Sequence, residues 1–348
     1  MSINIVCLPG DGIGPEVTES VISVLNAVAD KFKLEINIDQ QLIGGAAIDA
    51  TGDPLPAKTV SACQNADAVF LGAIGGPKWD DPNAKVRPEQ GLLRLRSAMG
   101  VFSNIRPLTV FPELVDASPL KPKVLEGVDF IVVRELTGGI YFGDKHRGEN
   151  FATDECRYSV EEIERITKVA CELAMQRGKK ITSVDKANVL ETSRLWREVV
   201  TKLVSQNYPE IKLEHQLVDS CAMKMIQNPA HFDVVLTENM FGDILSDEAS
   251  VLAGSMGLLA SSSIGEGSGL FEPIHGSAPD IAGQGIANPY ASILSAAMML
   301  RWLNYLAEAD AIETAVKSSI ASGILTRDLK SESEIKTHQV THAVIQNL

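Results

Sequence analysis

The chain has 348 residues, with 45 acidic and 31 basic side chains and a formal net charge of −14. Apolar residues make up 45 % and charged residues 22 %, the balance of a globular chain with length for about two domains and a large buried core. The acidic excess excludes a general nucleic-acid binder, which needs a basic surface to displace counterions, and it excludes docking on anionic membranes. Five cysteines, at 7, 63, 156, 171 and 221, contain no CxxC pair, so reduced thiols and a cytoplasmic setting are expected. The opening MSINIVCLPGDGIGPE lacks a basic region followed by a long apolar run, so no signal peptide is expected, and no stretch is long and apolar enough for a membrane span.

Residues 3–8 read as a strand, Gly10 to Gly14 as a turn, and Pro15 sits where a first helical residue would. Val17, Val21, Val24, Leu25 and Val28 then repeat at helical spacing. Further along, 67–72, 129–133, 181–184 and 234–236 are apolar runs of strand length, whereas 160–176 and 193–205 carry helical patterns. Residues 291–303 form a short apolar helix broken by Ser295 and Arg301, which suits a core or an interface. Strands alternating with helices imply an α/β architecture. Glycine, proline and serine cluster at 72–82, 261–269 and 273–289, and no internal repeat, low-complexity block or heptad array is present. Composition does not locate the domain boundaries.

Five segments stand out, each with an ordinary explanation beside a chemical one. In LPGDGIGPE the glycines 10, 12 and 14 follow a strand, but their spacing is GxGxG, and no acidic residue ends a clear second strand about twenty positions on. A structural turn bordering a ligand is the better reading than a dinucleotide fingerprint. Asp243 and Asp247 share one helix face in FGDILSDEAS. A lone pair of this kind is usually a solvated acidic face, yet the helix continues into apolar Val251 and Leu252, and Asp219 and Glu238 are further acids of the kind a hard divalent cation takes as oxygen ligands. Arg94, Arg96, Arg106 and Arg134 lie beside apolar runs and outside obvious surface helices, either as separate salt bridges or as an anion site. Lys186 in SVDKANVL directly follows a strand; it is a loop lysine or, near arginines and a metal that disfavour its ammonium form, a base. In FEPIHGSAPDIAGQGIANP, His275 could be a satisfied structural histidine and Asp280 a cap, but so many special residues over 271–289 exceed what a linker needs.

Taken together and in this order, RELTGGIYFG (134–143), SVDKANVL (183–190) and HGSAPDIAG (275–283) resemble the isocitrate/isopropylmalate dehydrogenase family of β-decarboxylating dehydrogenases, along essentially the whole chain. The resemblance implies a two-domain, non-Rossmann α/β fold, with a cofactor-binding first domain of 1–101 plus 254–348. A second domain, 102–253, inserted in the first, would carry dimerisation, metal and catalytic residues. Arg96, Arg106 and Arg134 match the arginines that hold the two substrate carboxylates. Asp219, Asp243 and Asp247 match the Mg²⁺ or Mn²⁺ ligands, and K⁺ is left open as an activator. Tyr141 and Lys186 match the acid–base pair. In this family Lys186 and Asp219 reach the site from the partner subunit of a homodimer, so Asp219, Asn188 and Val189 would also touch substrate across the dimer. The NAD site would comprise His275, Gly276, Ser277, Ala278, Pro279, Asp280, Ile281, Ala282 and Gly283 with Ala287 and Asn288, and Glu89 would lie near the nicotinamide.

Two places separate the subgroups of this family. Leu92 and Leu93 are apolar where isocitrate enzymes carry polar residues for a third carboxylate, and they suit an isopropyl group at about 0.8 kcal/mol for each buried CH₂. Asp280–Ile281 favours NAD, because the carboxylate can bond a free ribose diol and would repel a 2′-phosphate. The activity expected is NAD-dependent oxidative decarboxylation of (2R,3S)-3-isopropylmalate to 4-methyl-2-oxopentanoate and CO₂, in leucine biosynthesis, with closure of the domains to exclude water. The alternatives are a sister activity on D-malate, tartrate, homoisocitrate or isocitrate, and a non-catalytic regulatory subunit. The second would be expected to have lost a metal carboxylate, the lysine or the tyrosine, all of which are present.

Overall fold

The structure is a computed structural model that describes residues 2–81 and 84–348, so the end of the cluster at 72–82 lies outside the described residues. In chain order its elements begin with β1 (Ser2–Gly10), α1 (Gly14–Phe32), β2 (Glu35–Gln40), α2 (Gly44–Thr51), α3 (Ala57–Asn65), β3 (Ala68–Ala73) and α4 (Pro88–Met99). They continue with β4 (Val101–Thr109), α5 (Pro122–Leu125), β5 (Asp129–Glu135), β6 (Lys145–Arg147), β7 (Ala152–Asp154), α6 (Val160–Met175), β8 (Lys180–Asp185) and α7 (Glu191–Asn207). The remainder are β9 (Lys212–Leu217), α8 (Val218–Gln227), β10 (Val234–Thr237), α9 (Asn239–Ser250), β11 (Ala260–Gly265), β12 (Gly269–Pro273), α10 (Tyr290–Trp302), α11 (Leu306–Ala321) and α12 (Thr337–Asn347). The chain divides into two compact units, one of residues through Val101 together with Ser255–Leu348, the other Phe102–Gly254.

In the first unit the strand order is β2-β1-β3-β12-β11. β1 runs parallel to β2 and β3, β3 parallel to β12, and β11 antiparallel to β12. Every residue of β3, AVFLGA, is buried, which is why a short unbroken apolar run becomes a strand covered on both faces. The valine–leucine stripe of α1 (Val17, Val21, Val24, Leu25 and Val28) is wholly buried, and α10 is buried nearly all round. The glycine turn after β1 makes close contacts that no other residue allows. Gly12 has φ +59°, and a Cβ there would lie 2.0 Å from the Ser277 carbonyl oxygen. Ile13 N–H donates to that same carbonyl at 2.8 Å, so the turn braces the 275–288 segment. Asp11 adds to it by accepting from the backbone N–H groups of Gly45, Ala46 and Gly75, each at 2.8 Å.

The second unit has strand order β4-β5-β10-β8-β9, with β4 antiparallel to β5 and the remaining pairs parallel. Thr237 at the end of β10 stands opposite Arg134 on one side and Val184 on the other. The parallel register therefore collects Arg134, Glu238–Asn239 and Asp185–Lys186 at the carboxyl edge of one sheet, where ligands of open α/β sheets bind. β6 and β7 form a separate, exposed hairpin.

The expectations differ from the structure at four kinds of place. Arg94 and Arg96 belong to a helix, α4, started by Pro88 and ended by Gly100 in the left-handed region. The acidic helix stops at Ser250 and tightens into a 3₁₀ turn, Val251–Ala253, which buries Leu252 and leaves Val251 exposed. The edge strands β2 and β9 are only half-buried and mostly polar, so they lack an apolar run. β4 carries Arg106–Pro107 towards its end, in register with Val132 and Ile131 of β5.

Candidate active site

Four elements of the second unit bring its chemistry together. Arg134 rises from β5 almost fully buried, with its side chain 3 % exposed. It fits because α9 carries Gly242, where a Cβ would be 2.7 Å from the arginine Cγ. Its Nε and Nη2 both donate to Asn239 Oδ1, at 3.0 and 2.8 Å, and its Nη1 is bonded to Asp243 Oδ1. Arg106, from β4, donates through Nε to Asn104 Oδ1 at 2.7 Å and through Nη1 to Ser246 Oγ at 2.6 Å and Asp247 Oδ1 at 3.3 Å. Its Nη2 lies 3.7 Å from Asp243 Oδ1, so two guanidinium groups flank one carboxylate. Asp243 and Asp247 are one helical turn apart on α9, as the spacing predicts, and stand on the arginines and not in open solvent alone.

Tyr141, on the 3₁₀ turn Gly139–Tyr141, donates its hydroxyl to Asp243 Oδ2 at 2.9 Å. The Arg134 guanidinium carbon is 5.8 Å from the tyrosine ring centre. Burial and then the adjacent Asp243 carboxylate push the Tyr141 phenol up to about 12, so it is a protonated donor at neutral pH. Burial also raises the Asp247 carboxyl, against the Arg106 charge that lowers it.

Lys186 and Asp219 form a second group in the same unit. Lys186 Nζ donates to Asp219 Oδ1 at 2.8 Å, and this pairing holds the exposed Asp219 carboxyl below its usual range. The backbone is set by Ser193 Oγ, which accepts from Lys186 N–H at 3.0 Å, and by buried Asp185, which accepts from Ala187 N–H at 2.9 Å. Asn188 and Val189 are exposed on the following turn. Among the described residues, no group of three or more histidine, cysteine, aspartate or glutamate side chains in the one chain could hold a metal ion. Asp243 and Asp247 nevertheless form a hard oxygen-donor pair of the sort Mg²⁺ or Mn²⁺ takes, and a third donor would complete it. A cavity of about 320 Å³ lies beside Ile140, Tyr158, Asp185 and Trp196, and Tyr141, Lys186, Asp219, Asp243 and Asp247 do not line it.

In the first unit Arg96 is buried and donates to Glu272 Oε1 at 2.9 Å, whereas Arg94 pairs with Asp53 at the surface and is not part of an anion site with it. Leu92 and Leu93 are half-buried on the same helix, and Glu89 is exposed in its first turn. In the 275–288 segment Ala278 has φ +37°, and Ala278, Ile281 and Ala282 pack on Ile13, Val17 and Ala287. Asp280 is thereby held exposed at a turn. Burial lowers the His275 imidazole, and its Nε2 is buried without a hydrogen-bond partner, an atom that suits a ligand. Asn288, just before α10, accepts from Tyr290 N–H and donates to Asp328. The sequence reading missed Asn104, Asn239 and Glu272, the partners that aim the three arginines. Ser246 was findable, three residues after Asp243 on one helix face.

A family model described as isocitrate/isopropylmalate dehydrogenase matches residues 4–344. The chain belongs to the isocitrate/isopropylmalate dehydrogenase family. Among relatives in that family, a 3-isopropylmalate dehydrogenase of Anaeromyxobacter dehalogenans is 55 % identical over all of both chains. One of Bacillus subtilis is also 55 % identical, over 99 % of this chain and 96 % of its own. One of Streptococcus thermophilus is 56 % identical over all of both. An isocitrate dehydrogenase structure from Methylococcus capsulatus superposes with a TM-score of 0.89 at 35 % identity, covering 99 % of each chain. A β-decarboxylating dehydrogenase structure from Thermococcus kodakarensis gives 0.80 at 34 % identity, over 99 % of this chain and 96 % of that one. The α/β fold expected from the sequence is the fold of this family.

Proposed function

We propose that the chain catalyses NAD-dependent oxidative decarboxylation of (2R,3S)-3-isopropylmalate, giving 4-methyl-2-oxopentanoate, CO₂ and NADH in leucine biosynthesis. The observation that carries this reading is the buried Arg106–Arg134 pair with Asp243, Asp247 and Tyr141, set in a chain with full-length relatives that bear that activity's name. Leu92 and Leu93 supply an apolar lining that suits the isopropyl group and not a third carboxylate.

Arg96, Arg106 and Arg134 would take the two carboxylates, since guanidinium forks match them in charge and shape. Asp243 and Asp247 with the partner's Asp219 would hold Mg²⁺ or Mn²⁺, which would supply Lewis-acid polarisation of the substrate hydroxyl. The partner's Lys186 accepts the C2 hydroxyl proton as the C2 hydride leaves to NAD⁺. Loss of the C3 carboxylate as CO₂ leaves an enolate, and the Tyr141 hydroxyl donates its proton to C3. Segment 275–288 would bind the adenosine half of NAD through His275 and the residues from Gly276 to Gly283, Ala287 and Asn288. The exposed Asp280 suits a ribose diol, and Glu89 would balance the nicotinamide charge. Exposed Met223 on α8, Ile244 on α9 and Val189 support a homodimer in which the Lys186 turn crosses to the partner's site. Among the described residues no helix is long and apolar enough to cross a membrane, and a cytoplasmic enzyme is the setting proposed.

The test is NADH formation from 3-isopropylmalate and NAD⁺ with and without a chelator. Activity should be lost with the chelator and restored by added Mg²⁺ or Mn²⁺. Full activity in excess chelator would break the metal assignment.

A further inference from the structure

Arg134 needs an orienting partner that does not spend its charge. Its Nη1 already meets the Asp243 carboxylate, so a second carboxylate on the Nε–Nη2 edge would cancel the positive potential that attracts a diacid. The residue found there is a neutral carboxamide. Asn239, fully buried at the start of α9, accepts from Nε and Nη2 with its single Oδ1. Its other arm, Nδ2, donates to the Gly138 carbonyl oxygen at 3.2 Å, directly before the turn that presents Tyr141. Asn239 is itself pinned through its backbone, because its N–H donates to the Tyr158 hydroxyl at 3.0 Å. That hydroxyl donates in turn to Glu238 Oε2 at 3.1 Å, and Glu238 Oε1 caps α9 by accepting from Phe241 N–H at 2.6 Å. Tyr158 is buried, edge-on to Trp196, so the chain of contacts ends in the core of the unit.

We infer that Asn239 is a positioning residue that aims Arg134 at a substrate carboxylate without adding a second carboxylate beside Asp243, and ties it to the turn carrying Tyr141. The inference rests on the functional reading above. One buried side chain then fixes both the group that binds the diacid and the group that gives the final proton. A hydrogen bond to a charged group is strong enough that losing it, or neutralising the arginine it serves, should weaken diacid binding about 10-fold or more.

The decisive variant is Asn239→Asp, which keeps the size and the oxygen toward Arg134 but brings a negative charge. The readouts are KM for 3-isopropylmalate, KM for NAD⁺, kcat and Tm. The diacid KM should rise about 10-fold, with the NAD⁺ KM within about 2-fold of wild type and a Tm that shows the variant folded. A residue with only a structural role would move Tm and leave the diacid KM alone. Tyr158→Phe is the second variant; by releasing the Asn239 backbone it should raise the diacid KM about 3-fold, again without touching NAD⁺. A diacid KM unchanged in Asn239→Asp, or in Tyr158→Phe where the first does not fold, overturns the inference. An inactive wild-type chain would instead defeat the functional reading, so the two failures are distinguishable.

Discussion

Two arginines buried in one sheet are costly unless each N–H edge meets a partner, and the cost explains the surroundings of Arg106 and Arg134. Asn104, Ser246 and Asn239 give them neutral acceptors, and Asp243 stands against both. The same logic of burial governs His215, which takes no part in the proposed chemistry. Its Nδ1 is buried without a hydrogen-bond partner while Thr201 Oγ1 meets its Nε2 at 2.9 Å. Burial first, and Arg197 second, hold its imidazole below the usual 6.5, against the Asp185 charge. Below pH 6.5 the unfolded chain therefore takes a proton that the folded chain resists, and this histidine subtracts stability as the pH falls. Above that pH both states are neutral and the effect vanishes. Thermal melts should show a smaller Tm loss between about pH 7.5 and pH 5.5 for His215→Gln than for wild type. Parallel slopes would contradict it.

At the scale of elements, the site is an edge made by parallel strands. β5, β10 and β8 end side by side, with Arg134, Glu238 and Lys186 at or next to their last positions. That much is legible from sequence, since 129–133, 181–184 and 234–236 are apolar runs that end within two residues of Arg134, Lys186 and Glu238. The acidic pair on α9 and the tyrosine turn are legible too, from one-turn spacing and from the motif RELTGGIYFG. Arg96 on a helix was not, because PEQGLLRLR mixes charged and apolar positions without a clean stripe, and Pro88 is the one strong signal of a helix start. The half-buried edge strands and the partners of the arginines were hidden for a related reason. A single asparagine or serine carries no pattern until tertiary structure chooses its neighbour.

Elements also bear on the proposed dimer. α8 and α9 leave Met223 and Ile244 exposed, and the turn after β8 leaves Val189 exposed beside Lys186. If Lys186 serves the partner's site, two inactive variants should complement each other. Lys186→Met and Arg134→Ala, mixed and refolded together, should recover about a quarter of wild-type activity, because half of the dimers are mixed and each of those has one intact site. No activity above the separate variants would contradict the shared site.

For the molecule as a whole, the charge of −14 describes a surface and not a site. The second unit gathers Arg106, Arg134 and Lys186 within an acidic protein, and with a divalent cation on Asp243 and Asp247 the centre would be net positive for a diacid. Under the proposed function, apolar Leu92 and Leu93 would add the selectivity that charge cannot supply, because isocitrate, D-malate and 3-isopropylmalate all carry the carboxylates that arginines would bind. The most direct measurement is kcat/KM with NAD⁺ for 3-isopropylmalate, D-malate and isocitrate. Each CH₂ seated on an apolar lining contributes about 0.8 kcal/mol, so the isopropyl group should favour 3-isopropylmalate over D-malate by about 10-fold or more. Isocitrate should be turned over least. A clear preference for D-malate or isocitrate would contradict the account.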